Sequence, residues 1–381
     1  MRVLATGDGH FDLHSRFDEC VRIHAWMVDL ARDAKVDLFL DGGDIYERAS
    51  VAEEREAVAE WLTRMAEVAP CLISRGNHDR PRDVFLMRRL HTRHPITVEE
   101  GAAVHHVAGA AIAAVAWPER AALLAQAGSI EGTENLIRDA LQQVFRGLGA
   151  ELAQHDGPRI GLMHGMIDGS IASTNQPLLG LPINIGLADL ALIGADLGVV
   201  SHIHRAQRFQ PPAGGPWLYA GSSHRTDHSQ TERKSVIFAE FDGRRLVKLE
   251  EIETPATPMT NLVGRWNPAA GGGIDVPAFG DLTGHEVRLR FEVAADQREA
   301  AAAFARELKD RWLASGVKDV RLEPEVIVEA RARAPEVAAA SSLPDKLDAH
   351  WGAVGFAPGD RRQSLHSKAC ELEQQEASRA A

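Results

Sequence analysis

Five polar clusters in the sequence are built from residue types that bind metal ions. They are Asp8-Gly9-His10, Gly43-Asp44, Gly76-Asn77-His78-Asp79, His164 and His202-Ile203-His204. Together they offer carboxylate, imidazole and amide groups, the ligand chemistry that holds a pair of divalent metal ions. Mixed oxygen and nitrogen donors without a thiolate suit manganese, iron or zinc better than calcium. We therefore interpret the clusters as one candidate dinuclear metal centre.

Each cluster follows a short apolar run that predicts a buried strand. The runs are Val3-Leu4-Ala5, Leu38-Phe39-Leu40, Cys71-Leu72-Ile73, Ile160-Gly161-Leu162-Met163 and Val199-Val200. Continuous apolar runs bounded by turn residues are typical of strands that are buried on both faces. Open α/β sheets bind their ligands in the loops at the carboxyl ends of such strands. We therefore expect the five clusters to meet in one pocket.

The charge of such a pocket favours a phosphate ester as substrate. Asp44 has two oxygens and can bridge two ions, whereas Asp8 and His10 can reach one ion together. Two dications and these two carboxylates would leave a site of about +2. A metal pair can also lower the pKa of a bridging water and stabilise the transition state at phosphorus.

Each motif taken alone has a simpler explanation. Asp-x-His is usually a solvated turn, and Gly-Asn-His-Asp can be a plain turn because Gly and Asn are turn formers. His164 alone would more often be a hydrogen-bonded histidine of the core. The occurrence of all five motifs in this order, each after a predicted strand, favours the metal centre.

The composition predicts a globular chain of two or three domains. It has 381 residues, of which 45% are hydrophobic and 25% charged. The net charge of −12 disfavours non-specific electrostatic binding to nucleic acid or to an anionic membrane, although it permits a local basic face. Cys20, Cys71 and Cys370 lack paired spacing, which favours a reducing compartment over a disulfide framework.

The beginning of the sequence and its hydropathy lead us to expect a cytoplasmic protein. Met1-Arg2 runs directly into the first predicted strand and leaves no room for a signal peptide. No apolar run approaches the ~18 residues that are needed to span a bilayer. We therefore expect no membrane association.

The order of predicted elements indicates layered sheets with covering helices. Helical spacing over 17–33 and 51–68 separates the first three predicted strands, which favours a partly parallel sheet. Two strands are predicted within 103–117 and a helix over 132–154. Later strands follow one another without helices, which indicates an antiparallel part, so we predict an α/β class with α+β character.

The composition changes after residue 255. We predict a main domain over 1–255, a connector over 256–280 because Pro and Gly are frequent there, and a small strand–helix–strand domain over 281–331. Val326-Ile327-Val328 is a further predicted strand. Residues 332–381 are predicted to be a linker followed by C-terminal helices, with a disordered tail over 357–381 as the alternative.

The ordered motifs resemble those of the calcineurin-like metallophosphoesterase superfamily, whose pattern runs Asp-x-His, Gly-Asp, Gly-Asn-His-Asp/Glu, His and Gly-His-x-His. Within it, the chain resembles the SbcD-type nucleases of DNA double-strand-break repair. The features of this second resemblance are Asp41-Gly42-Gly43-Asp44-Ile45-Tyr46, Gly76-Asn77-His78-Asp79-Arg80-Pro81, Tyr219-Ala220-Gly221-Ser222, Arg225-Thr226-Asp227 and the small domain at 281–331. One residue departs from the pattern, since Ser201 stands where Gly is usual.

The resemblance implies a layered metallophosphoesterase β-sandwich flanked by helices, with a small C-terminal capping domain. It also implies that one metal is held by Asp8, His10, Asp44 and His204, and the second by Asp44, Asn77, His164 and His202. His78 would contact the phosphate and protonate the leaving oxygen. Asp79 would orient His78, or would simply cap its turn.

Binding of DNA is expected from two further segments. The local excess of basic side chains beside the Gly-Asn-His-Asp loop predicts contacts with a nucleic-acid backbone, with an ordinary charged helix face as the alternative; the basic residues are Arg75, Arg80, Arg82, Arg88 and Arg89. Residues 165–187, which include Ser173-Thr174-Asn175-Gln176, lack periodicity and are predicted to bind substrate.

The resemblance implies protein partners as well. An SbcC-like coiled-coil ATPase would dock on the C-terminal helices, with Leu343, Leu347 and Trp351 as apolar anchors. Members of this family commonly pair as homodimers through helices of the nuclease domain, which leads us to expect a homodimer here.

We therefore expect a manganese-dependent DNA exonuclease and endonuclease of repair or recombination, regulated by an ATPase. A phosphomonoesterase or cyclic-nucleotide phosphodiesterase with the same metals is the alternative enzyme. A DNA-tethering scaffold is the alternative of another class, and the complete ligand set argues against it.

Overall fold

The computed structural model describes residues 1–126, 134–178, 182–269, 272–327 and 335–380. The strands are β1 (Arg2–Thr6), β2 (Leu38–Asp41), β3 (Cys71–Ser74), β4 (Ile96–Glu99), β5 (Ala102–Val107), β6 (Ala110–Val115), β7 (Arg159–His164), β8 (Met166–Ile167), β9 (Asn184–Ile185), β10 (Leu197–Ser201), β11 (Gln207–Phe209), β12 (Trp217–Tyr219), β13 (Ser235–Asp242), β14 (Arg245–Glu253), β15 (Met259–Asn267), β16 (Gly273–Asp275), β17 (Glu286–Ala294) and β18 (Asp319–Ile327). The helices are α1 (Phe17–Asp33), α2 (Ala52–Ala66), α3 (Pro81–Phe85), α4 (Arg120–Gln126), α5 (Glu134–Leu152), α6 (Leu187–Ala191), α7 (Arg298–Ala314), α8 (Pro335–Ala339), α9 (Leu343–Ala353) and α10 (Asp360–Ala380).

Two six-stranded sheets position the candidate site. The first has the order β14-β13-β1-β2-β3-β4 and the second the order β11-β12-β10-β7-β6-β5. Strands β1 to β4 are parallel to one another, as are β12, β10, β7 and β6. The antiparallel pairs are β14–β13 and β13–β1 in the first sheet, and β11–β12 and β5–β6 in the second. This mixed architecture confirms the predicted class, a layered α/β fold with antiparallel parts.

The inner faces of the two sheets share one apolar core. Val3 and Leu40 of the first sheet belong to the same buried cluster as Ile112, Leu162 and Val199 of the second. The outer faces pack against helices, the first sheet against α1 and α2 and the second against α5 and α6. Strands buried on both faces read as continuous apolar runs, which explains why the sequence lacks alternation there.

The covering helices form where apolar residues recur at helical spacing. In α1 the buried face contains Cys20, Ile23, Met27 and Ala31, and it packs on the first sheet. The helices predicted at 17–33, 51–68 and 132–154 are confirmed as α1, α2 and α5. The strands predicted before each ligand cluster are confirmed as β1, β2, β3, β7 and β10.

The segment 256–280, predicted as a connector, contains two paired strands instead. β15 and β16 are antiparallel, and Trp266 lies opposite Ile274. The buried residues of β15 are Met259, Leu262 and Trp266, which are three and four positions apart. This spacing gives no period-two alternation, so the strand pattern is hidden in the sequence.

The C-terminal elements also differ from the expectation in detail. Val326 and Ile327 end the strand β18 that begins at Asp319, so they form no separate strand, and Val328 lies outside the described residues. Residues 360–380 form the helix α10 rather than a disordered tail. The predicted strand–helix–strand order is confirmed as β17, α7 and β18.

The described chain divides into two compact units. One contains residues 1–263, 276–290 and 307–323, and the other contains 264–275, 291–306 and 324–381. Because both units combine separate stretches of the chain, the domain boundaries placed at 255, 281 and 331 stay predictions. None of the helices within the described ranges combines the length and the apolar character that crossing a membrane requires.

Two glycines of the second sheet make room for Trp217, whose side chain is fully buried. A Cβ added at Gly198 in β10 or at Gly161 in β7 would overlap the indole ring. Steric overlap in a packed core forces shifts of backbone and side chains. The indole ring can pack in this position only because residues 161 and 198 have no side chains.

We expect Gly198→Ala to lower the free energy of unfolding by about 1–3 kcal/mol, because the new methyl group overpacks the core. Gly147→Ala is the matched control, since a Cβ there meets no described atom within 4 Å. It lies in α5, where Ala is favoured over Gly by about 1 kcal/mol. Urea unfolding measures both variants, and equal stability of the two would contradict this packing argument.

Candidate dinuclear metal centre

The seven predicted ligands come together where five strands end. Asp8 and His10 follow β1, Asp44 follows β2, and Asn77 follows β3. His164 is the last residue of β7, and the segment after β10 carries the remaining pair, His202 and His204. Neighbouring parallel strands place their carboxyl ends at one edge of a sheet. The two sheets therefore contribute from opposite sides to one cluster of side chains.

The side chains form two groups. Asp8, His10 and His204 offer ligand atoms that all lie within 4.8 Å of one another, and so do Asp44, His164 and His202. In the first group, Nε2 of His10 lies 2.9 Å from Nε2 of His204. These groups match the two ligand sets that the family resemblance implies. Binding of metal by them stays a prediction.

Asn77 and Asp44 complete the second group. The side-chain oxygen of Asn77 lies 3.0 Å from Nε2 of His164 and 3.0 Å from Nδ1 of His202. An oxygen of Asp44 lies 3.3 Å from Nε2 of His164. The second group therefore contains a carboxylate, an amide oxygen and two imidazoles within contact distance.

The donor atoms that face one another fit metal ions. Nε2 of His10 faces Nε2 of His204 at 2.9 Å, and Nδ1 of His202 faces the side-chain oxygen of Asn77 at 3.0 Å. Imidazole nitrogens and amide oxygens are donors that divalent ions accept. The opposite ring nitrogens, Nε2 of His202 and Nδ1 of His204, are buried without a hydrogen-bond partner among the described residues. The donor set thus suits two divalent ions.

Four of the ligands have backbone conformations that side chains seldom adopt. The φ angles are +51° at Asp8, +45° at His10, +54° at Asp44 and +116° at His202. Each such residue costs about 1–3 kcal/mol unless its surroundings compensate. Backbone hydrogen bonds between the loops after β1 and β2, at 2.8 and 2.9 Å, hold the first three. The strain turns these side chains toward the shared space.

Asp79 caps the loops around the site. Its carboxylate, 3% exposed, accepts hydrogen bonds from the amides of Asp44 (2.8 Å), Gly76 (3.0 Å) and Tyr46 (3.1 Å). These contacts fit the alternative of a capping carboxylate, and a role of Asp79 in orienting His78 stays a prediction. A buried acceptor for three amides joins the loops after β2 and β3.

Glu47 contacts two of the histidines that line the cavity, and the sequence patterns did not point to it. Its backbone oxygen lies 2.7 Å from Nδ1 of His78, and its carboxylate lies 2.7 Å from Nδ1 of His10. A carboxylate on the far nitrogen of a ligand histidine fixes the ring and its tautomer. The only sequence signal was its position three residues after Asp44.

Burial and neighbouring charges shift the acidities in the site. Burial raises the pKa of Asp8 to about 6. Burial by itself would lower the pKa of His10, but Glu47 and Asp44 outweigh it and raise the pKa to about 9. Burial would also lower the pKa of His164, but the nearby carboxylate of Asp44 outweighs it and raises the pKa to about 9. Two imidazoles of the metal-free site therefore hold a proton at neutral pH.

A cavity of about 230 Å³ opens over the two groups. Its wall includes His78, Asn175, Gln176 and Pro177, so part of the segment predicted to bind substrate lies beside the candidate ligands. Residues 179–181 of that segment lie outside the described residues. Contact of this wall with a substrate stays a prediction.

The five arginines predicted to contact DNA lie elsewhere, and the described wall of the cavity contains none of them. Arg75 is buried and donates to Glu119 at 2.9 Å. Arg80 and Arg82 are exposed, and the guanidinium groups of Arg88 and Arg89 lie over the ring of Phe85. Their role in binding DNA stays a prediction.

Ser201 is accommodated by two glycines. The hydroxyl of this buried residue occupies space beside Gly7 and Gly42, where an added Cβ would overlap it. Glycines in the loops that follow β1 and β2 thus leave space for a serine where glycine is usual. His202, which follows, donates its amide N–H to both oxygens of Asp8, at 2.9 and 3.1 Å.

We expect the affinity for Mn²⁺ to rise between pH 6 and pH 9. The metal must displace protons from Asp8, His10 and His164, whose pKa values span this window. Calorimetric titration in two buffers of different ionisation enthalpy would count the protons that are released. An affinity that does not change with pH, or binding without proton release, would contradict this electrostatic assignment.

Comparison with known proteins gives one family match, which covers the first 176 residues. Residues 1–176 match the family model described as calcineurin-like phosphoesterase. No curated protein sequence matches the chain.

Several solved structures are similar to the chain. A dimetal phosphatase from Danio rerio is 12% identical with a TM-score of 0.40, covering 66% of this chain and 98% of its own. GAP50, described as the anchor in the inner membrane complex of Plasmodium, is 12% identical with a TM-score of 0.41, covering 67% and 89%. Purple acid phosphatase PPD1 from yellow lupin (Lupinus luteus) seeds is 12% identical with a TM-score of 0.40, covering 66% and 53%. Residues 1–176 of this chain are therefore similar to the calcineurin-like phosphoesterase family.

Proposed function

We propose that this protein is a two-metal DNA nuclease. It would hydrolyse phosphodiester bonds as an exonuclease and endonuclease in double-strand-break repair or recombination. The observation that carries the proposal is the convergence of seven candidate ligands from five loops beneath one cavity that His78 also lines. The motifs shared with SbcD-type nucleases support DNA as the substrate.

The bound ions, for which manganese is the expected metal, would neutralise the phosphate and lower the pKa of water. One oxygen of Asp44 lies 3.3 Å from Nε2 of His164, the other accepts the amide N–H of His78 at 2.8 Å, and the charge of Asp44 also acts on His10 of the first group. Removing this carboxylate would disturb both groups at once.

His78 is placed to act as the general acid. Its Nδ1 lies 2.7 Å from the carbonyl oxygen of Glu47, to which it donates a hydrogen bond. Since Nδ1 keeps its proton for this bond, Nε2 carries a proton only when the ring is cationic. The form that protonates the leaving oxygen is therefore the imidazolium, acting through Nε2.

A phosphomonoesterase or cyclic-nucleotide phosphodiesterase is the second candidate. The observation that favours it is the position of the basic cluster, since none of its five arginines lies in the described wall of the cavity. The same wall contains the acidic residues Asp12, Glu47 and Asp227. A small phosphate ester needs no extended basic surface, whereas DNA binding depends on contacts with successive phosphates.

An SbcC-like coiled-coil ATPase is the proposed partner, together with a second copy of this chain. Leu343 at the start of α9 is 43% exposed and free for such a contact. Trp351 is not a free anchor, because it is 7% exposed, packs against Phe356 and lies beneath the guanidinium of Arg362. The proposed contact therefore rests on Leu343 and the exposed side of α9.

We expect Asp44→Ala to abolish Mn²⁺-dependent cleavage of end-labelled duplex DNA, because both groups lose a ligand. His78→Ala should still bind two ions but react about 10²–10⁴-fold more slowly. His91→Ala is the control, since His91 is exposed and distant from the described cavity wall. Undiminished cleavage by the Asp44 variant would reject the assignment.

The substrate class is tested by comparing turnover of single-stranded DNA, a cyclic nucleotide and p-nitrophenyl phosphate under the same metal. Preferential cleavage of DNA is the expected result. Efficient turnover of either small ester, with DNA left intact, would replace the nuclease by the second candidate.

A further inference from the structure

The segment that carries His202 and His204 is held by side chains rather than by a neighbouring strand. The amide N–H of His202 donates to Asp8, and its carbonyl accepts from Nε2 of Gln176 at 2.6 Å. The amide N–H of His204 donates to Oε1 of Gln176 at 3.0 Å, and its carbonyl accepts from Lys234 at 3.0 Å and from the backbone N–H of Ser222 at 3.2 Å. Three of these four backbone groups thus bond to distant side chains alone, and the fourth shares its side-chain partner with a backbone amide.

Gln176 is the link between the two ligand groups. Its single amide bonds to the carbonyl of His202, which belongs to the second group, and to the N–H of His204, which belongs to the first. The two bonds flank Ile203, and the first is made by His202, whose φ of +116° persists only where surrounding contacts impose it. The amide therefore sets the spacing and direction of both imidazoles.

The Gln176 amide is itself fixed in place. The side-chain Oε1 of Gln176 also accepts the backbone N–H of Ser173 at 3.2 Å. The backbone N–H of Gln176 donates to the carbonyl of Ser173 at 3.0 Å. The Ser173 hydroxyl donates to Glu232, which also accepts from Lys234 at 3.0 Å. Asn175, the preceding residue, donates to the hydroxyl of Ser229 at 3.0 Å. Because these bonds hold Gln176 from several sides, its side chain can in turn fix the backbone of His202 and His204.

We propose that Gln176 is a positioning residue that sets the affinity of both metal sites. The inference rests on the metal centre of the proposed function and adds a residue outside the ligand motifs. Loss of a partner that orients metal ligands typically weakens binding about 10–100-fold. Because Gln176 touches one histidine from each group, both sites should weaken together.

The chain offers a matched control at the other end of the same loop. Gln207 donates from Nε2 to the carbonyl of Ile171 at 3.0 Å, and its Oε1 accepts the amide N–H of Ile171 at 3.0 Å. The chemistry is the same pair of bonds from a side-chain amide to a peptide segment. Ile171 is 59% exposed and lies in no ligand group. Nε2 of Gln207 also donates to the carbonyl of Arg205 at 3.1 Å, but it contacts neither His202 nor His204, so this clamp tests loop anchoring without a bond to a ligand residue.

The experiment is calorimetric titration of Mn²⁺ into the unaltered chain, Gln176→Met and Gln207→Met. Methionine keeps the length of the side chain and removes the three hydrogen bonds that each glutamine side chain makes. We expect Gln176→Met to bind Mn²⁺ about 10–100-fold more weakly at both sites, and Gln207→Met to match the unaltered chain. Urea unfolding of the metal-free variants should show a similar loss of stability in both.

A second variant covers the case in which Gln176→Met fails to fold. Gln176→Asn keeps the amide but is one methylene shorter, so it cannot reach both peptide groups, and we expect weaker binding again. Unchanged affinity of the Gln176 variants, or an equal loss in Gln207→Met, would overturn the inference while leaving the proposed function standing. Failure of the unaltered chain to take up Mn²⁺ would overturn both.

Discussion

The structure depends on the burial of opposite charges in one place, with Asp44 at the centre. Burial would raise the pKa of this carboxyl, but the imidazoles of His164 and His10 outweigh it and hold the pKa well below the ordinary value. A buried charge persists only where partners and hydrogen bonds compensate it. The loops after five strands must therefore meet at this carboxylate, and the two sheets must end side by side.

Buried carboxylates also organise the backbone around the site. Asp79 joins the loops after β2 and β3, Asp8 holds the amide of His202, and Asp41 accepts the amide of Gly43 at 2.8 Å. Burial raises the pKa of Asp41 to about 7. In a low dielectric such bonds are strong, and they compensate the positive φ angles that aim the ligands inward. The same chemical group thus serves as a candidate ligand and as scaffold.

The ligands could be predicted from sequence because each stands at the end of an apolar run. Parallel topology then makes residues that are distant in sequence, such as Asp8 and His202, neighbours in space. The helices could be predicted because one apolar face repeats at helical spacing, as in α1. The strand β15 could not be predicted from the sequence, because its buried residues do not alternate with exposed ones.

The roles of Glu47 and Gln176 could not be predicted from the sequence for a different reason. Their roles come from bonds to the backbone and to the far side of ligand rings, and these bonds have no sequence periodicity. Asp79 was recognised as part of a motif, but its partners are amides of two loops that only the fold brings together. Residues that support a site are thus harder to predict than those that form it.

The central claim is that two metal ions sit between these side chains. A crystal of the protein soaked in Mn²⁺ and measured for anomalous scattering tests it most directly. We predict two peaks roughly 3.5–4 Å apart, one beside each ligand group, with Asp44 between them. A map without peaks in this cluster, or with its ions bound elsewhere, would contradict the account.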